Sequence, residues 1–192
     1  MLIKDWKKEI CTIPNLLSLF RLVLIPVYLY IYLNASKPED YWLAGGILAV
    51  SCLTDMVDGK IARMFNMISS VGKVLDPMAD KATQLALIIC LSVHHKAVRV
   101  MLVLFLIKEF FQLFAMLASL KHGKALDGAL MSGKVCTAVL FTSLIIMVLM
   151  PGLSEEITNI ITAICCVFLL VAFVEYFRAY YGKNKKIQDL ET

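Results

Sequence analysis

Polar length is what this chain has least of. Only 18% of its 192 residues are charged against 60% hydrophobic, and no polar stretch is long enough to tether a separate soluble domain. A soluble domain of this size has no use for so much apolar surface, so that class is excluded. Zinc-type spacing is missing as well. None of the six cysteines, Cys11, Cys52, Cys90, Cys136, Cys165 and Cys166, forms a C-x-x-C pair, and all but Cys11 lie in apolar runs. They read as small buried hydrophobes, and neither disulfides nor zinc are expected. His94 and His95, at the end of an apolar run, read as plain surface. The net charge of +4 is modest and suits anchoring to anionic lipid; no nucleic-acid partner is expected.

What the chain does have is apolar runs that exceed the length needed to cross a bilayer, with a mean hydropathy of +0.78. The expected fold is all-α and integral to the membrane: a single domain over 1–192, built as a six-transmembrane-helix bundle behind a short N-terminal amphipathic interfacial helix. Residues 1–11 mix Lys4, Lys7 and Lys8 with Leu2, Ile3, Trp6 and Ile10, which suits the headgroup layer. A cleaved signal is the competing reading, but the run that follows is long and holds Asn15 and Arg21, which favours an uncleaved span. Spans are expected at about 13–34, 41–63, 72–94, 97–119, 130–150 and 156–180, with 183–192 a polar, mobile cytoplasmic tail. Pro26 should kink the first span, and Gly45 and Gly46 permit close helix contact in the second. With the N-terminus inside, Lys4, Lys7, Lys8, Lys60, Arg63, Lys73, Lys121, Lys124, Lys183, Lys185 and Lys186 all fall on the cytoplasmic side. Only Lys37, Lys96 and Arg99 fall outside. Six spans with both ends inside satisfy the positive-inside rule, making a multi-pass protein of the cell membrane.

The chemistry concentrates between Asp55 and Asp80. Asp55 and Asp58 are three apart, and Ala62 follows on the same helical stripe; Gly72, Asp76 and Asp80 recur every four residues on another. If the two helices pack antiparallel, four carboxylates converge at a membrane boundary, and that much negative charge calls for cations. Carboxylate oxygens without His or Cys suit hard ions such as Mg²⁺ or Mn²⁺. The alternative is an acidic face that merely packs or is solvated.

Written out, the spacing is D-x2-D-G-x2-A-R-x8-G-x3-D-x3-D, met by Asp55, Asp58, Gly59, Ala62, Arg63, Gly72, Asp76 and Asp80. It resembles the signature of the CDP-alcohol phosphotransferase family in every fixed position. TIPNLLSLFRLVLIP and the Gly72–Lys81 stretch are most similar to phosphatidylglycerophosphate synthases within it, the latter also to the related cardiolipin synthases. The resemblance implies a CDP-diacylglycerol donor, two divalent ions, and an alcohol acceptor that attacks phosphorus with loss of CMP. It implies Asp55, Asp58, Asp76 and Asp80 as metal ligands, with Asp80 also the general base. Asp55, Asp58, Gly59, Ala62, Arg63 and Gly72 would form the CDP site, and a homodimer is expected on the same ground. Gly133-Lys134-Val135-Cys136-Thr137 is similar to the family's G-K-x-x-T element.

For the acceptor, glycerol 3-phosphate is the first expectation, giving phosphatidylglycerol phosphate; the alternative is phosphatidylglycerol, giving cardiolipin. Glycerol 3-phosphate needs a cationic pocket, for which Lys134, Arg178 and Arg21 are the candidates. Snorkelling to the interface is the competing reading of all three. Lys108 and Glu109, adjacent near the middle of the fourth span, point about 100° apart, so they are not expected to pair side by side. The Lys-Glu pair and the Arg-free stretch after it depart from the usual phosphatidylglycerophosphate synthase pattern. A small cation transporter is the reading from another class, since intramembrane Asp, Lys and Glu also line ion pathways. No inverted repeat relates the two halves, and the acids sit at one boundary and not at midplane, which counts against it.

Overall fold

The computed structural model describes residues 13–64, 72–121, 131–150 and 152–191; the side chains at 13–14, 38, 52–53, 55–64, 73–74, 118–121 and 182–191 are outside that description. The described residues form six helices: α1 Ile13–Leu33, α2 Pro38–Met64, α3 Gly72–His94, α4 Lys96–Lys121, α5 Met131–Leu149 and α6 Glu155–Glu191. Among them, α1, α4, α5 and α6 are long and apolar enough to cross a membrane. The other two, α2 and α3, carry the aspartates of the motif. The expected interfacial helix at 1–11 and the connection at 65–71 fall outside the described residues. α6 does not stop near residue 180 but continues to Glu191 through the stretch expected to be a tail. After Gly182 that stretch is mostly Lys, Gln, Asp, Leu and Glu, with no proline to end a helix.

The chain divides into two compact units, residues 1–90 and 91–192. In the first, α1 packs along α2. Their junction is tight: Asn34 Nδ2 donates to the Tyr30 carbonyl at 2.7 Å, and the Ser36 and Lys37 backbone N–H groups both donate to Asp40 Oδ2 at 3.0 Å. These two bonds hold the Asp40 carboxyl below the ordinary carboxylate range. Tyr32 stands edge-on to Tyr41 at 5.4 Å across the same corner. Further along, residues of all three helices, Leu24 and Tyr28, Leu48 and Ser51, and Thr83 and Leu87, line one apolar gap. Gly46, read as a close-contact position, is exposed with open space where a Cβ would lie; Gly45 is buried.

In the second unit α6 packs against both α4 and α5. Phe111 of α4 meets Phe173 and Phe177 of α6, with ring centroids 5.1 and 5.7 Å away. Ser154 starts α6 by accepting from the Ile157 N–H, with Glu155 and Glu156 in the first turn at the positive end of the helix. Hydroxyls inside these helices fold back on their own backbone: Thr162 donates to the Thr158 carbonyl at 2.7 Å, and Thr137 to that of Gly133 at 2.9 Å. Gly133 lets α5 approach α6, because a Cβ there would lie 2.6 Å from the Tyr176 hydroxyl.

Gly133→Ala therefore overpacks this contact, with an expected loss of about 1–3 kcal/mol by thermal unfolding in detergent. Adding Tyr176→Phe should recover part of it, since the nearest remaining ring atoms are 3.1 and 3.2 Å away. The lowered pKa of Asp40 means that its cap stabilises the fold above the ordinary carboxylate range and is lost as pH falls through the lowered value. Asp40→Ala should therefore reduce stability at neutral pH and flatten the acid limb of the unfolding curve.

Candidate functional site

The first half of α1 turns its large apolar residues outward and its polar ones inward. Leu16, Phe20 and Val23 are 53%, 47% and 63% exposed, whereas Asn15, Ser18 and Arg21 are 1%, 0% and 2% exposed. In lipid that distribution is favourable, because tails accept the apolar face and the polar groups find protein partners. Asn15, Ser18 and Arg21 recur every three residues, so they line one side of the helix.

That side meets α3. The Ser18 hydroxyl donates to Asp76 Oδ1, and Arg21 Nη1 donates to Asp80 Oδ1 at 2.8 Å. Asp76 and Asp80 are four residues apart on α3, as read from their spacing, so both project from one face. The Arg21 side chain is 3% exposed and that of Asp80 49%. A buried cation thus reaches a half-exposed anion. Arg21 does not snorkel outward; it is drawn to a motif carboxylate. Ser18 was missed in the sequence, although its place between Asn15 and Arg21 at helical spacing was a usable signal.

Gly72 is buried at the start of α3. The backbone of α2 is helical through the positions of Asp55, Asp58, Gly59, Ala62 and Arg63, whose side chains lie outside the described residues. Among the described residues no three His, Cys, Asp or Glu side chains gather into a metal cluster. The donors that are described fit a hard divalent ion in kind: Asp76 and Asp80 offer carboxylate oxygen only, from one helix face and partly exposed.

The second unit holds a different charge pair. Lys108 Nζ lies 2.6 Å from Glu109 Oε1, with side chains 6% and 15% exposed. Neighbours on a helix were not expected to pair. The flexible four-carbon stem of lysine spans the 100° offset, and apolar surroundings penalise two separate charges more than one bent contact. Gln112, one turn on, donates to the Tyr176 hydroxyl at 3.4 Å. Lys134 and Arg178 are both exposed.

The profile of the CDP-alcohol phosphatidyltransferase family matches residues 11–173. Among curated proteins, a cardiolipin synthase (CMP-forming) of Streptomyces coelicolor is 40% identical over 87 residues, covering 44% of this chain and 40% of the relative. The cardiolipin synthase (CMP-forming) of Rattus norvegicus is 49% identical over 71 residues, 36% of this chain and 22% of the relative. A cardiolipin synthase (CMP-forming) / mitochondrial hydrolase fusion protein of Schizosaccharomyces pombe is 44% identical over 89 residues, 45% of this chain and 14% of the relative. The matched stretch is thus well under half of each relative.

Removing one member of the buried charge pair should cost more than removing both. Lys108→Met is expected to lose about 3–5 kcal/mol, because it leaves the Glu109 carboxylate without its ammonium partner in an apolar site. Lys108→Met combined with Glu109→Leu should lose less than the single change, read from thermal unfolding in detergent.

Proposed function

The chain belongs to the CDP-alcohol phosphatidyltransferase family, and on that premise we propose that it transfers a phosphatidyl group from CDP-diacylglycerol to phosphatidylglycerol, forming cardiolipin and CMP. Glycerol 3-phosphate was the acceptor expected from the sequence. The relatives' names carry the change, since the three compared above are named as cardiolipin synthases. The charges support it. A phosphomonoester acceptor needs buried cations to spare. Among the described candidates, Arg21 is paired with Asp80, and Lys134 and Arg178 are exposed. Phosphatidylglycerol, whose phosphate is a diester with a single charge, makes a smaller demand.

In this reading a headgroup hydroxyl of phosphatidylglycerol attacks the lipid-side phosphorus of CDP-diacylglycerol. The new O–P bond forms as the P–O bond to CMP breaks, and the hydroxyl proton passes to Asp80. Asp55, Asp58, Asp76 and Asp80 would hold Mg²⁺ or Mn²⁺. Bound there, the ions would neutralise the pyrophosphate and ease departure of CMP. The Asp80 carboxylate is half-exposed, which gives a bound hydroxyl access to it. Gly59 and Gly72 leave room for the nucleotide, and Arg63 engages its phosphate or ribose. Register supports a common site for the two halves of the motif: Ser51 and Thr83 line one gap, Asp55 is one turn beyond Ser51, and Asp80 comes three residues before Thr83. A six-span topology with this end at the cytoplasmic face would put the site where nucleotide-activated lipid is made.

Purified protein with labelled CDP-diacylglycerol, offered phosphatidylglycerol, glycerol 3-phosphate, serine and inositol phosphate in turn, tests the acceptor. Labelled cardiolipin with CMP release is expected from phosphatidylglycerol, and product from glycerol 3-phosphate alone would overturn the choice. Asp80→Asn should lower kcat by about 10²–10⁴-fold, the usual worth of a positioned general base.

A further inference from the structure

In the first unit, the reaction as written leaves the inward side of α1 largely without a task. Ser18 and Arg21 lie three apart on α1, and Asp76 and Asp80 four apart on α3; the Ser18 hydroxyl meets Asp76 and the Arg21 guanidinium meets Asp80. Burial is lopsided: Ser18 and Arg21 are 0% and 2% exposed, while the Asp80 side chain is 49% exposed. A helix that only had to pack would do better with leucine at both places, since burying a guanidinium gives up its hydration. A surface ion pair, for its part, would not need its cation sunk in the protein. The combination suits a fixed support behind a working carboxylate. Arginine adds a planar, always-charged fork that limits the carboxylate to few orientations.

We propose that Ser18 and Arg21 are positioning residues: they lock the rotamers of Asp76 and Asp80 from behind, so that the two carboxylates meet the divalent ions and the acceptor hydroxyl already oriented. This rests on the reading above, in which those aspartates hold the ions. It differs from the acceptor-binding role expected of Arg21. An acceptor site would bring Arg21 to the substrate, whereas here it acts through Asp80. Supports of this kind, one step behind a metal ligand, change metal affinity or activity by about 10–100-fold when removed.

The test uses the full-length chain in detergent, with Arg21→Gln, Arg21→Lys and Ser18→Ala. Mn²⁺ binding is followed by paramagnetic resonance without substrate, thermal unfolding is measured without metal, and kcat and KM are measured for both lipids. Arg21→Gln is expected to weaken Mn²⁺ binding about 10–100-fold, even though a repelling positive charge has gone. It should lower kcat while leaving both KM values within about threefold, and Arg21→Lys should recover part of each loss. Ser18→Ala should move the same readouts in the same direction by less. Adding Arg21→Gln to Asp80→Asn should cost no further activity, because the support then has nothing to hold.

Unchanged or tighter Mn²⁺ binding in Arg21→Gln would overturn the proposal, as would a rise confined to the acceptor KM or a loss of stability alone. Should Arg21→Gln fail to fold, Arg21→Lys and Ser18→Ala decide by the same readouts. If the unaltered chain binds Mn²⁺ but makes no product from any acceptor, the reaction assigned above falls and the binding comparison still judges the support. If it binds no Mn²⁺, both fall.

Discussion

The Arg21–Asp80 contact sets the terms for the first unit. A guanidinium inside a lipid-facing helix is tolerated only with a partner, and its partner is a carboxylate from the most chemically loaded part of the chain. That fixes which side of α1 turns inward, and with it the placement of Ser18 beside Asp76 and of Leu16, Phe20 and Val23 toward lipid. Hydrophobic burial does not explain this arrangement, because lipid tails welcome the apolar residues as readily as a core does. Polar contact decides it.

The second unit solves the same problem differently. Lys108 and Glu109 neutralise each other within one helix, so α4 brings no net charge into the bundle from that pair. The packing of α6 against α4 and α5 can then be made by rings and small residues, Phe111 on Phe173 and Gly133 under Tyr176. Hydroxyls cost little there, since Thr137 and Thr162 donate to carbonyls of their own helix.

Much of this was legible in the chain before any coordinates. Long apolar runs announce helices through composition alone, and α1, α4, α5 and α6 carry that signal. The aspartate spacing pointed to the family because eight residues at fixed intervals encode a site directly. What could not be read was partnership. Arg21 in an apolar run is equally consistent with reaching inward or snorkelling, and only the position of Asp80 on another helix decides. Lys108 and Glu109 misled for a related reason: helical geometry fixes Cβ directions but not where a long, flexible lysine ends.

α6 is longer than a bilayer is thick. Its 37 residues rise about 55 Å, against a hydrocarbon core of about 30 Å. An ordinary tilt of about 20° absorbs only a few ångströms of that surplus. The apolar window ends at Tyr181, and helix continues to Glu191. The backbone bearing Lys183, Lys185 and Lys186 thus continues the helical path of the span, and a helix advances only about 1.5 Å per residue where an extended chain would advance more than twice that.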